Sequence, residues 1–193
     1  MLLSDALLFA ATASAAAITS PLTPRAGLPN GQTTVQDVIN IHNAVLELDA
    51  IVQDYTGSPF PTSLVNGVPV LEGVFKIHNV NRVGFVNALA ALPYSKAEDA
   101  AIVQTVEDTV NVSIPAATVH LKAKLKEFQE GALGPVVVAS LALLLSDHDT
   151  FSAAVATKLV GADPDVLARG LAAVANIHNA IQDALLFYTL NVV

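Results

Sequence analysis

The chain contains no cysteine, although it opens in the manner of a secreted protein. Secreted domains often staple themselves with disulfides, because their compartment is oxidising. Without that device, apolar burial alone must hold the fold. The composition meets this demand, with 53% hydrophobic and only 13% charged residues and a mean hydropathy of +0.55. Aromatics make up just 5% and Trp is missing, so packing falls to Ala, Val and Leu. Such side chains pack helices closely, and they can also line a smooth apolar cavity or face a hydrophobic surface. At 193 residues the chain is long enough for one domain with a real core.

A net charge of −8 and a pI near 4.8 argue against nucleic acid and anionic membrane as partners, since both attract basic patches. The one basic cluster, Lys122, Lys124 and Lys126, sits beside Glu127 and Glu130 and reads as a solvated helix face. Residues 1–17 read as a signal peptide: the apolar run from Leu2 ends in Ser14-Ala15-Ala16-Ala17, which offers small-x-small cleavage sites. No Lys or Arg precedes the run and Asp5 interrupts it, so the competing reading is a hydrophobic N-terminal helix retained in the fold. Residues 18–32, rich in Pro, Gly and Thr, read as a flexible leader or processed pro-segment, which leaves 33–190 as the helical domain. No transmembrane segment is expected. The most apolar uncharged stretch after the N-terminal run, Gly131 to Ser146, falls short of the ~20 apolar residues a span needs. The C-terminus lacks the spacer and long tail of a lipid-anchor signal. The expected product is soluble and secreted, extracellular or associated with a cell wall.

Apolar positions step by three and four almost throughout. Val38, Ile41, Val45, Leu48, Val52 and Tyr55 form the seam of a first helix. A second helix is expected from about Pro69 to Leu92, with Leu71, Val74, Phe75, Ile77, Phe85 and Leu89 inward. Ser95 and Glu98 make a capping box for a third, and Pro115 inside that helix should kink or split it, because proline cannot donate to the Asn111 carbonyl. Gly131 ends the third helix and Pro135 opens a fourth, through Val138, Leu141, Leu145, Phe151 and Val155. Asp163-Pro164 caps a fifth, carrying Leu167, Leu171, Val174, Ile181, Leu185 and Tyr188. No strand-period alternation of useful length appears. The expected fold is an all-α antiparallel bundle of about five helices.

Leu121-x3-Leu125-x2-Phe128 before Gly131, then Pro135-Val136-Val137-Val138-x2-Leu141 and Phe151-x3-Val155-x2-Lys158-Leu159, resemble the fungal hydrophobic surface-binding protein A family, which includes cell-wall galactomannoproteins. The first helix and the Tyr55-Thr56-Gly57 turn also match that family's opening, so the resemblance runs from about Val35 to Tyr188. It implies secreted, wall-associated, cysteine-free helical proteins that adsorb to hydrophobic surfaces or bind lipids such as fatty acids. Some members are linked to recruiting secreted hydrolases onto hydrophobic solids. This chain lacks the Ser/Thr-rich tail and anchor signal of the wall-anchored members.

Three tripeptides carry most of the polar interest: Ile41-His42-Asn43, Ile77-His78-Asn79 and Ile177-His178-Asn179. One reading is a polar cluster at the end of an apolar cavity, where His42, Asn43, His78, Asn79, His178 and Asn179 meet a ligand head group. Lys76 and Arg82 would then be partners for a carboxylate. The blander reading, which we favour, has these residues bonding to neighbouring helices or water. In a carrier, an acyl chain would lie among Phe75, Leu121, Leu125, Val138, Leu141 and Val174. In a surfactant-like adhesion protein the helices would instead open on a hydrophobic solid. No metal site is expected, because no histidines stand at i, i+4 and there is no thiolate. Asp147-His148-Asp149 points in divergent directions on a helix, and Gly-x-Ser-x-Gly, phosphate-binding glycine motifs and His-Glu-x-x-His are missing. No enzymatic activity and no cofactor are expected. Asn111-Val112-Ser113 is the single glycosylation sequon.

Overall fold

Asn30 opens the fold with a reciprocal cap. Its side-chain oxygen accepts from the Thr33 backbone N–H at 3.1 Å, and the Thr33 hydroxyl accepts from the Asn30 N–H at 3.4 Å. In the computed structural model, residues 27–192 are described, and seven α-helices follow this cap: α1 Gly31–Asp54, α2 Thr62–Ala90, α3 Lys96–Asp108, α4 Val110–Ala123, α5 Leu125–Glu130, α6 Gly134–Ala156 and α7 Pro164–Asn191. No strand occurs among the described residues. The expected signal peptide, residues 1–17, and most of the 18–32 leader lie outside them.

The seven helices make five rods, because α3 and α4 both pack on α1 and α7 and so form one divided rod, while α5 is a short turn of helix. The rods close into a ring in the order α1, α2, α6, α7, α4 and back to α1. Side-chain ties fix their directions. Lys76 pairs with Glu47, and Asn87 donates to Asp37 at 2.9 Å, so α1 and α2 are antiparallel. His42 meets Ser113 and His120 meets Asp49, so α1 and α4 are parallel. Rods that follow one another in the chain therefore alternate in direction, as expected for this bundle.

Two connections, α1–α2 and α6–α7, join neighbours in the ring. The other two cross its ends. At one end α5 carries Phe128, stacked on Tyr55 with ring centroids 4.6 Å apart and edge-on to Tyr188 at 6.3 Å; the Tyr188 hydroxyl donates to the Leu121 carbonyl at 2.6 Å. At the other end, the turn after α2 buries Ala91 and Tyr94 against Ile102, Val35 and Leu159, and the Tyr94 and Thr34 hydroxyls hydrogen-bond at 2.8 Å. Both ends of the ring are plugged.

Several boundaries differ from expectation for physical reasons. α2 begins at Thr62, so Pro69 lies inside it; the carbonyl that Pro69 leaves without a donor belongs to exposed Val65, where water can serve. The third rod is split, but at Thr109 rather than at Pro115. Asn176 Nδ2 reaches the Asn111 carbonyl at 3.4 Å, supplying the donor that Pro115 lacks. Thr109 meanwhile turns its hydroxyl back onto the Thr105 carbonyl at 2.5 Å. The Ser95–Glu98 capping box forms as expected. Asp163 makes no capping bond and instead holds Lys96 at 2.7 Å. Phe75 and Leu89, expected inward, are exposed, because α2 is apolar around most of its circumference and its sequence does not say which side faces in. α6 is long and apolar enough to cross a bilayer by length and composition, yet here it forms one wall of the ring and buries Asp147 against His78.

Candidate ligand cavity

Five rods around a ring leave a space at the centre that Ala, Val and Leu side chains do not fill. Between the two plugs lies a cavity of about 300 Å³. That is roughly twice the ~150 Å³ apolar void known to hold benzene, and it sits at the lower end of the ~300–1,000 Å³ range of ligand pockets. Every rod contributes to the wall. Val38, Ile41, Val45, Leu48 and Val52 come from the α1 seam, and the inner stripes of α2, α4, α6 and α7 complete it. The exposed members of the wall are Leu64, Val68 and Leu71 on α2 and Val136 on α6, so the cavity opens near the N-terminal ends of these two helices.

Of the apolar residues expected to line a ligand, Leu121, Leu141 and Val174 do so. Leu125 and Val138 pack against the surrounding core without reaching the wall. Phe75 is 45% exposed on the outer side of α2.

The Ile-His-Asn strings resolve into one repeated device. Each isoleucine, Ile41, Ile77 and Ile177, is buried in the cavity wall. Each histidine reaches sideways to the next rod through Nδ1: His42 to the Ser113 hydroxyl at 3.0 Å, His78 to Asp147 at 2.7 Å and His178 to Asp149 at 2.8 Å. Asn43, Asn79 and Asn179 face outward. Lys76 is exposed and paired with Glu47, and Arg82 stacks 4.3 Å over the Phe85 ring. None of these eight polar residues lies in the wall. The histidines tie rods together from behind it. The sequon Asn111 sits in the first turn of α4, its side-chain oxygen accepting from Asn176 at 2.8 Å, and the Ser113 hydroxyl is buried on His42.

The polar groups that do enter the wall were not expected there, chiefly Asn81 and His148, the latter weighed from sequence only as a catalytic residue and set aside, with Asp49, Thr118, Ser140 and Ser152. Their signal was present as polar interruptions of buried stripes. Asn81 falls between Ile77 and Gly84, and His148 between Leu144 and Phe151, each at helical spacing. Asn81 donates through Nδ2 to the Ile77 carbonyl at 3.1 Å. His148 Nε2 meets the Val174 carbonyl at 3.2 Å. Burial is the main cause holding the pKa of the His148 imidazole below its ordinary value, and His178 nearby adds to it; the Val174 hydrogen bond and Asp149 oppose. No group of three or more His, Asp or Glu side chains among the described residues is arranged to hold a metal ion.

Comparison with known proteins bears on this cavity. The sequence profile described as hydrophobic surface binding protein A matches residues 31–157. A search of curated protein sequences finds no significant match. Among solved structures, AfMP4p in complex with palmitic acid is similar at a TM-score of 0.74 and 16% identity, covering 82% of this chain and 99% of that one. Ligand binding domain 1 of the Penicillium marneffei MP1 protein, complexed with arachidonic acids, gives 0.70 and 23%, covering 79% and 94%. Domain 2 of the same protein, complexed with multiple arachidonic acids, gives 0.67 and 18%, covering 81% and 92%. At these identities the likeness establishes a shared fold.

Proposed function

The chain belongs to the hydrophobic surface binding protein A family, and from that premise we propose that it is a secreted, non-enzymatic carrier that holds a long-chain lipid, a fatty acid or similar molecule, inside the ring. The observation that carries this reading is the apolar cavity, walled by all five rods and closed at both ends. The palmitic and arachidonic acids bound by proteins of the same fold support it. Burial of each methylene contributes about 0.8 kcal/mol, so a chain of ~16 carbons supplies about 12 kcal/mol gross. Losses of translational and internal freedom take several kcal/mol of that, which leaves micromolar or tighter binding. All five histidines are engaged with groups on other rods, which supports a structural use for them rather than a catalytic one.

Native mass spectrometry of the purified protein, before and after lipid extraction and with added palmitic acid, tests the carrier. A stoichiometric acyl adduct is expected. A mass that stays ligand-free throughout would overturn the reading.

A second mode, adsorption to a hydrophobic surface, draws on the outer side of α2, where Val65, Val83, Val86 and Leu89 are exposed. A carrier keeps its tertiary structure while bound, whereas a bundle that opens on a solid loses it. Near-ultraviolet circular dichroism of the protein on hydrophobic beads separates the two: a retained tyrosine signal counts against opening.

A further inference from the structure

Among the described residues the cavity wall contains no cation. Its ionisable residues are Asp49 and His148, and neither Lys nor Arg of the described residues reaches it. Asp49 is occupied by His120 and by Gln53, each at 2.9 Å. Three wall side chains, His148, Asn81 and Thr118, each direct a donor to backbone. A carbonyl can only accept, so the His148 nitrogen facing Val174 must carry the proton, and the neutral ring is left with a bare lone pair on Nδ1. Asn81 spends one amide N–H on the Ile77 carbonyl and keeps the other N–H and its side-chain oxygen. Thr118 donates its hydroxyl to the Pro115 carbonyl at 2.8 Å. The His78–Asp147 pair and the approach of Gly84 to Phe151 set the register of α2 against α6, which brings Asn81 and His148 to one level of the wall. What is left over at that level is weighted towards acceptors: the Nδ1 lone pair, the Asn81 oxygen and the Thr118 hydroxyl oxygen, against one Asn81 N–H and the Ser140 and Ser152 hydroxyls, which can turn either way.

We infer that the cavity selects uncharged lipids whose polar end donates a hydrogen bond, a long-chain alcohol or a fatty acid in its protonated form, and discriminates against the ionised carboxylate. The inference rests on the carrier reading. An ionised carboxylate only accepts, and burying it without a cation, in a wall that already holds the Asp49 carboxylate, is costly. Left at the mouth with its tail inside, it places a hydrocarbon end against the acceptors and leaves them unpaired. A hydroxyl at that level pairs with them. Lys76 and Arg82, the cations nearest in sequence, are held outside by Glu47 and Phe85. The net charge of −8 adds general repulsion of anions.

Dodecan-1-ol, methyl dodecanoate and sodium dodecanoate share one chain and differ at the polar end, which is in turn a neutral donor, a neutral acceptor and a charged acceptor. Their affinities for the full protein are measured at pH 8 by isothermal titration. The alcohol is expected to bind at least about ten-fold more tightly than dodecanoate, about 1.4 kcal/mol, with the ester between. Dodecanoate should gain about ten-fold per pH unit as the pH falls from 8 to 6, because only its protonated fraction binds. His148→Phe should bring the alcohol-to-ester ratio towards one. Dodecanoate binding within about two-fold of the alcohol at pH 8, or an unchanged alcohol-to-ester ratio in His148→Phe, overturns the inference; the first comparison needs no variant to fold. Failure of all three probes would instead bring down the carrier reading itself.

Discussion

Asp99 is fully buried, and neither of its carboxylate oxygens has a hydrogen-bond partner among the described residues. Burial, and secondarily repulsion from Glu98 and Asp163, raises its pKa above the ordinary aspartate value of 3.8. The N-terminal dipole of α3 works in the opposite direction, but desolvation wins. Since the folded value is the higher one, the folded state holds this proton more tightly than the unfolded chain does. The stability this provides is complete below pH 3.8 and is lost as the pH rises through the folded value. Asp99→Asn should therefore stabilise the protein by about 1–2 kcal/mol at pH 7, and the gain should vanish near pH 3. Urea denaturation at the two pH values checks this; an equal gain at both would show that charge is not the cause. Local sequence does not reveal such a site. It shows an acid in the first turn of a well-capped helix, where acids are welcome, and only tertiary packing seals it from water. The histidines teach the converse. Their repeated context marked them as structural or ligand-binding, and the choice depended on partners 29 to 71 residues away, such as Asp149 for His178 and Ser113 for His42.

Among elements, the turn between α5 and α6 shows how a cap can be displaced. The Leu133 N–H bonds to the Phe128 carbonyl at 2.8 Å and the Ala132 N–H to Gln129 at 2.9 Å, the pattern in which the residue between takes a left-handed conformation. That residue is Ala132, with φ of 55°, although glycine stands one place earlier. Gly131 is needed where it is, because a Cβ there would lie 2.7 Å from the Tyr55 hydroxyl and 3.2 Å from the Ser63 Cβ. A left-handed alanine costs about 1–2 kcal/mol, partly offset by the extra unfolded-state freedom of a glycine. Ala132→Gly should accordingly gain about 0.5–1 kcal/mol, visible as a raised denaturation midpoint with an unchanged slope. A loss of stability would show that the strain is relieved elsewhere. All five rods were legible in the three-and-four spacing of apolar residues, and the Ser95–Glu98 cap was legible in two letters. Breaks were less so. Pro69 suggested a helix start and lies inside α2 instead, Pro115 suggested a split that Asn176 repairs, and the actual break at Thr109 has no strong signal.

At the scale of the molecule, periodicity fixes which side of a rod faces in and is silent on whether the centre is full. Wall residues such as Val45, Ile77 and Ile181 would show the same spacing in a solid core. The ring order of the rods, which opens the centre, depends on contacts distant in sequence. Ala117 stands in the wall of α4, and Ala117→Phe should fill part of the space. Wild-type protein with lipid at a hundred times its dissociation constant should gain about 2.7 kcal/mol of apparent stability. The variant should gain close to none while matching the ligand-free wild type in denaturation. An equal ligand-induced gain in both would place the lipid elsewhere.

The two connections that cross the ends of the ring have a consequence for how such a container could be rebuilt. The chain stitches over each pole once, through Phe128 at one and Tyr94 at the other, because the rods it joins there are not adjacent. Each stitch is thus also a drumhead. If the same five rods were threaded so that every one followed its neighbour around the circumference, no segment would have reason to pass over either pole, and the vessel would become a pipe. Closure in this protein is a property of the order of threading, carried by two short spans of chain.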